Sequence, residues 1–143
     1  MVMLAFHNDP DLKLAYVARV KEHQEQDELI RGTAWDGMRG CAVGCTLESY
    51  EHARYPDELG IPEVLAHLED RLFENLPAAE AATWPERFLD TIPVGADLSG
   101  VWPRWVIWLL TMELTPHITP RVKPAIDGVV GLYRRRLRGD EPT

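Results

Sequence analysis

A chain of 143 residues with 45% apolar side chains and five tryptophans has the composition of a globular protein rather than of a disordered segment. Its formal net charge of −8 argues against general nucleic-acid binding, and its apolar stretches are too short to predict a membrane span. We therefore expect one cytoplasmic domain over residues 1–143, whose two cysteines are thiols or metal ligands rather than a structural disulfide.

Helical periodicity dominates the sequence and predicts five or six helices. The first is expected from about Pro10 to Arg31, with Asn8 or Asp9 as its cap and Pro10 in its first turn. A glycine-rich loop, GTAWDGMRG, follows. The second helix is expected to run from Cys41 to about Tyr55, because the next residue is a proline.

The rest of the chain continues the helical pattern. A third helix at residues 61–76 would bury an aliphatic face formed by Val64, Leu65, Leu68, Leu72 and Leu76. A short fourth helix follows at WPERFLDTI, and a last one opens near Thr119. The tryptophan-rich segment at residues 100–114 is apolar nearly all round, as is typical of a helix packed on several sides. The sequence therefore predicts an all-α, irregular bundle around this central helix.

The second predicted helix carries four reactive side chains on one stripe. On a regular helix Cys41, Cys45, Glu48 and His52 would lie within roughly 60° of one another. They are the parts of a thiol-dependent enzyme: Cys41 as nucleophile, Cys45 as second thiol, His52 as base and Glu48 as its orienting group. Free N–H groups at the helix start and the neighbouring Arg39 are expected to favour the Cys41 thiolate.

The first predicted helix carries a second carboxylate–histidine pair, His23 and Asp27, on its buried stripe. Because an unpartnered buried charge is costly, we expect Asp27 to hold His23 and both to face the second helix. Trp35 and Arg39 follow in the glycine-rich loop. Together with His23 and Asp27 they are expected to line a substrate-binding pocket beside the thiols.

Two packing predictions accompany this site. Gly44 lies inside a helix at a cost of about 1 kcal/mol relative to alanine, which indicates a close approach by another segment. His67 falls with Glu63, Asp70 and Glu74 opposite the leucines of the third helix, which predicts a solvated face.

Other hypotheses stay open. Mixed nitrogen, oxygen and sulfur ligands suit zinc or iron, so the same pocket is a candidate metal site, whereas the thiol enzyme requires no cofactor. The candidate ligands are His23, Asp27, Cys41, Cys45, Glu48 and His52. Alternatively the cysteines are inert core residues, and the protein is a phage-encoded interaction module whose acidic first 100 residues bind a basic protein surface. The expected partner is thus a small molecule or a protein.

Three segments, RGCAVGCTL, ARYPDELGIP and IPVGADLS, resemble parts of small bacterial and phage proteins that have no assigned activity. The order of Glu28, Cys41, Cys45 and His52 is also similar to that in AhpD-like helical peroxidases, where a glutamate precedes a C-x2-C-x3-H motif. Here three residues separate the cysteines, and the histidine comes seven residues after the second one. The likeness implies thiol redox chemistry at these four residues.

Overall fold

The computed structural model describes residues 2–140 and contains eight α-helices and no β-strand in that range. The predicted all-α fold is confirmed. Among the described residues, no helix combines the length and the apolar character that crossing a bilayer requires. The chain divides into two compact units, Met1–Leu98 and Ser99–Thr143. The single domain expected from the sequence stays a prediction.

The helices are shorter and more numerous than the five or six predicted. In the first unit they are α1 (Pro10–Glu25), α2 (Ala42–Leu47), α3 (Tyr55–Leu59), α4 (Glu63–Asn75), α5 (Ala78–Ala81) and α6 (Trp84–Thr91), with 3-10 turns at Ala5–Asn8 and His52–Arg54. In the second unit they are α7 (Val101–Trp108) and α8 (Lys123–Leu137), with a π-helical turn at Leu109–Glu113 and a 3-10 turn at Thr115–His117.

Helix α1 begins where the sequence places it and ends earlier. The Asp9 side chain accepts hydrogen bonds from the backbone N–H groups of Asp11 and Leu12, and Pro10 occupies the first turn. The helix ends at Glu25 rather than near Arg31. Asp27 then adopts a left-handed conformation with φ of 56°, which turns the chain away from the helix axis.

The short helix α2 is the most buried element of the first unit. All six of its residues are buried, and it packs against α1, α4 and α6. A Cβ added at Gly44 would overlap the carbonyl oxygen of Ala34, so the predicted close approach is confirmed. The helix does not continue to Tyr55, because Glu48 adopts a left-handed conformation with φ of 51° and ends it.

Helix α4 forms near its predicted position but buries a different face. Its buried residues are Leu65, Ala66, Glu69, Asp70 and Phe73. Leu72, predicted to be buried, is 37% exposed. The prediction that Asp70 lies on a solvated face is wrong, because α4 turns Glu69 and Asp70 toward the interior of the first unit.

The second unit contains the tryptophan-rich segment. Helix α7 buries only Pro103 and Val106, and Trp108 is 47% exposed, so the helix is not packed on all sides as predicted. Trp102 contacts α8, where its indole N–H donates to the Tyr133 hydroxyl at 3.1 Å.

Candidate functional site

The predicted stripe of Cys41, Cys45, Glu48 and His52 does not exist as one surface. Cys41 is the N-cap of α2 and Cys45 lies within that helix. Glu48 occupies the left-handed turn after the helix, and His52 begins a separate 3-10 turn. The left-handed turn sends the last two residues to different partners, so Glu48 does not orient His52. The prediction of a single catalytic stripe is therefore wrong.

One group of side chains gathers around His23 of α1. Its Nδ1 atom contacts the carboxylate of Glu28, and its Nε2 atom is 3.3 Å from Oε1 of Glu48. The predicted partner Asp27 is instead exposed in the turn after α1. The expected contact between His23 and the segment after the loop does form, through Glu48.

A cavity of about 310 Å³ opens beside this group. It is lined by Glu22, His23, Gln26, Glu28, Trp35, Gly37, Met38 and Glu48. The Trp35 ring stands edge-to-face against the His23 imidazole, with ring centroids 5.7 Å apart, so two of the predicted substrate-binding residues do line one cavity. The other two, Asp27 and Arg39, are not among its lining residues. Arg39 is exposed and pairs with Asp36 at 3.4 Å.

Both thiols are free, buried and poorly suited to act as nucleophiles. Burial raises the pKa of Cys45 to about 12. Burial also raises the pKa of Cys41 well above its ordinary value, and the neighbouring Asp70 carboxyl group raises it further. The Gly44 N–H donates to Cys41 Sγ at 3.4 Å and lowers the pKa, but desolvation outweighs it. The prediction of a depressed Cys41 pKa is wrong.

A second group, which we call the thiol–carboxylate cluster, consists of Cys41, Asp70 and Glu74. The Cys41 Sγ atom and one carboxylate oxygen from each acid all lie within 4.8 Å of one another. Asp70 and Glu74 are four residues apart and therefore share one face of α4, which packs against α2. Cys41 and Asp70 are buried, and Glu74 is partly buried. This cluster combines the sulfur and oxygen ligands that a metal ion uses.

Asp70 is hydrogen-bonded on one oxygen only. Its Oδ2 atom accepts from the Tyr50 hydroxyl at 3.2 Å and lies 3.3 Å from His52 Nε2. Its Oδ1 atom is buried and makes no hydrogen bond within the described part of the chain. A buried acceptor without a partner typically costs about 1–3 kcal/mol, and more when it is charged. A ligating carboxylate often shows the same asymmetry, with donors on one oxygen and the metal on the other.

His52 is held firmly beside this carboxylate. Its ring stacks on that of His67, with centroids 4.1 Å apart and planes 8° from parallel. Tyr50 packs edge-to-face against the same ring at a centroid distance of 4.8 Å. Burial lowers the pKa of His52, and His67 lowers it further, so both favour the neutral imidazole that can bind a metal. His67 itself is exposed, as predicted for its helix face.

The burial of Glu69 and Asp70 was not predicted from the sequence. Glu69 is fully buried, accepts from the Tyr55 hydroxyl through Oε2 at 2.6 Å, and has a second oxygen without a partner in the described structure. Burial raises its pKa to about 8. The available signal was the spacing of Leu65, Glu69 and Phe73, which places the acid in line with two apolar residues of the same helix.

Comparison with known proteins adds no relative: no protein-family model, no curated protein and no solved structure matches this chain.

Proposed function

We propose that this chain is a metal-binding protein whose thiol–carboxylate cluster holds a divalent transition-metal ion such as zinc or iron(II). The observation that supports this most is the buried Asp70 side chain, which belongs to a cluster with Cys41 and Glu74 and whose Oδ1 atom has no hydrogen-bond partner in the described part of the chain. A cation at this point would satisfy an atom that the described chain leaves unsatisfied.

The ligand types favour a transition metal over magnesium or calcium. A cysteine thiolate is a soft ligand that selects metals such as zinc and iron, whereas the two carboxylates alone would suit a harder ion. The metal would displace the thiol proton, which explains how a thiol with a raised pKa can still serve as a ligand. Because Cys41 is on the N-terminal side of α2 and both acids lie on α4, the bound ion would join these helices.

Thiol catalysis has less support. Its nucleophile and second thiol are both buried, and the histidine assigned as base lies beside Asp70 rather than Glu48. A redox or transfer reaction at Cys41 would require a thiolate that its surroundings disfavour.

The experiment begins with elemental analysis of the full chain purified without an affinity tag, followed by zinc titration of chelator-treated protein. We expect one zinc ion per chain and the release of protons on binding. Cys41→Ala should abolish tight binding, whereas Cys45→Ala, which removes an equally buried thiol outside the cluster, should retain it. Chelator-treated protein that takes up no zinc, or equal affinity in the two variants, would refute the function.

A second candidate function is the binding of a small organic cation in the cavity at His23. Three of its lining residues are glutamates (Glu22, Glu28 and Glu48), and none of the described residues that line it is a lysine or an arginine. Trp35 adds an aromatic wall, which attracts ammonium and guanidinium groups. Calorimetric titration with agmatine, compared between the native chain and Glu48→Gln, tests this candidate. Equal heats from the two proteins would reject it.

A further inference from the structure

The two carboxylates of the thiol–carboxylate cluster each have one oxygen held by the surrounding chain. Asp70 Oδ2 accepts from the Tyr50 hydroxyl at 3.2 Å, and the Nε2 atom of His52 lies 3.3 Å from the same oxygen. Glu74 Oε2 accepts from the backbone N–H of Gly32 at 2.8 Å. Each acid therefore keeps one further oxygen, Oδ1 of Asp70 and Oε1 of Glu74, with which to bind an ion.

Because each acid offers one oxygen, an ion in the cluster would receive three donor atoms from the chain. These are Cys41 Sγ and one oxygen each from Asp70 and Glu74, and no other histidine, cysteine, aspartate or glutamate among residues 2–140 belongs to the group. Structural zinc sites usually have four protein ligands, whereas zinc sites that bind water or a substrate have three and leave the fourth position open. The donor count is thus that of a ligand-binding metal centre.

The open position would be reached from the side of Glu74. Cys41 and Asp70 are buried, but Glu74 is only partly buried. The backbone that binds its carboxylate belongs to the glycine-rich loop, and Gly32 is exposed there. A small molecule would therefore approach the ion past Gly32 and along the Glu74 side chain.

The charges of the three ligands select what can occupy that position. One thiolate and two carboxylates outweigh the two positive charges of the metal ion, so the occupied centre carries one net negative charge. This charge would repel a further anion but not a neutral donor. Imidazole-type nitrogen suits both zinc and iron. The favoured external ligand is therefore a small neutral nitrogen compound, and water takes the position when no such compound is present.

We propose that the metal ion in the thiol–carboxylate cluster keeps one coordination position that binds water and exchanges it for a neutral nitrogen ligand. This open position rests on the metal-binding function proposed above. Cys41, Asp70 and Glu74 are then the complete set of protein ligands, while Tyr50 and Gly32 hold the two carboxylates. The exchange breaks one metal–oxygen bond to water and forms one metal–nitrogen bond, and the oxidation state of the metal does not change.

Imidazole titration of the cobalt(II)-loaded full chain tests the open position by visible absorption, because cobalt reports thiolate ligation and coordination geometry in separate bands. The loaded chain should show a thiolate charge-transfer band and ligand-field bands. Imidazole should shift the ligand-field bands and leave the charge-transfer band in place, since the ion stays bound to Cys41. Azide, an anion, should need at least about a tenfold higher concentration for a comparable shift.

Failure of the function and failure of the open position give different results. If the native chain binds no cobalt, the metal-binding function itself fails. If it binds cobalt but imidazole leaves the ligand-field bands unchanged, or extracts the ion and abolishes the charge-transfer band, the function stands and the open position is refuted. Azide that acts at the same concentration as imidazole would refute the preference for a neutral ligand.

X-ray absorption of the zinc-loaded native chain provides a test without cobalt. It should show one sulfur at about 2.3 Å, oxygen atoms at about 2.0–2.2 Å, and imidazole scattering only after imidazole is added. Imidazole scattering from the chain alone would mean that a histidine fills the position, and would overturn the proposal. His52→Ala is the matched variant: it should weaken zinc binding by no more than about 10–100-fold, as for a residue that supports a ligand, and keep the response to imidazole.

Discussion

The hydroxyl of Tyr55 donates a hydrogen bond of 2.6 Å to Oε2 of Glu69, and both side chains are completely buried. Burial raises the pKa of Glu69 to about 8, so the folded chain retains a proton that the unfolded chain releases near pH 4.5. Between these two values the native state binds more protons than the unfolded state. Stability contributed by the protonated carboxyl group is therefore present at low pH and is lost as the pH rises toward 8.

This pair leads to a prediction for Glu69→Gln. The native chain should lose stability from pH 5 to pH 8 with a Glu69 contribution of up to about 1.4 kcal/mol per pH unit, whereas the variant should lack that contribution. Urea unfolding at each pH, in the presence of a chelator, measures the difference. Glu80→Gln, a change at an exposed glutamate, serves as the control and should follow the native curve. Parallel curves for the native chain and Glu69→Gln would contradict the raised pKa.

Asp70→Asn should separate stability from metal binding. Without metal, the change removes the charge of a carboxylate whose Oδ1 atom has no described partner, so we expect stability to change by less than about 1 kcal/mol. Zinc at 100 times its dissociation constant should stabilise the native chain by about 2.7 kcal/mol, and it should not stabilise the variant. Thermal unfolding with zinc or chelator gives both values. Asp90→Asn, at an exposed position on α6, should keep the full zinc effect.

The thiols should be unreactive while the chain is folded. Because burial raises the pKa of both Cys41 and Cys45, we expect iodoacetamide at pH 8 to label each at least about tenfold more slowly than free cysteine. Mass spectrometry of chelator-treated protein at timed intervals measures the rates. In urea, both rates should rise to that of the free amino acid. Rapid native labelling of Cys41 would instead restore the thiol-enzyme hypothesis.

Gly44→Ala should destabilise the first unit. The new methyl group would meet the Ala34 carbonyl oxygen, and we expect a loss of about 1–3 kcal/mol from the resulting shift of backbone. Gly128→Ala on α8 is a matched control, because a Cβ there meets no atom within 4 Å. That change should leave stability unchanged or raise it by up to about 1 kcal/mol. Urea unfolding compares the two, and equal stabilities would contradict the close approach.

Local sequence signals predicted the start of α1 well. Asp9 and Pro10 act on the residues immediately after them, so their roles do not depend on the rest of the fold. The end of α2 was not predictable in the same way. Glu48 adopts a left-handed conformation without being glycine or asparagine, and nothing in its neighbours signals this.

The sequence also did not reveal which side chains pair across different elements. A spacing of four residues on an assumed helix paired His52 with Glu48, whereas the observed partner Asp70 is 18 residues away on another helix. The leucines of α4 likewise suggested a buried face, although packing against α2 selected the face that carries Glu69 and Asp70. The partner of a side chain and the buried face of a helix are decided by contacts between elements, and periodicity within one element carries no information about those contacts.

The burial of α2 has a consequence for how the first unit assembles. Six residues are too few for an isolated helix to persist in water, so α2 can form only when its neighbours α1, α4 and α6 are already close. Its amide hydrogens should consequently exchange with solvent only when the whole unit opens. This short segment should therefore become ordered together with its neighbours and, once the unit is folded, be among the last parts to lose protection from exchange.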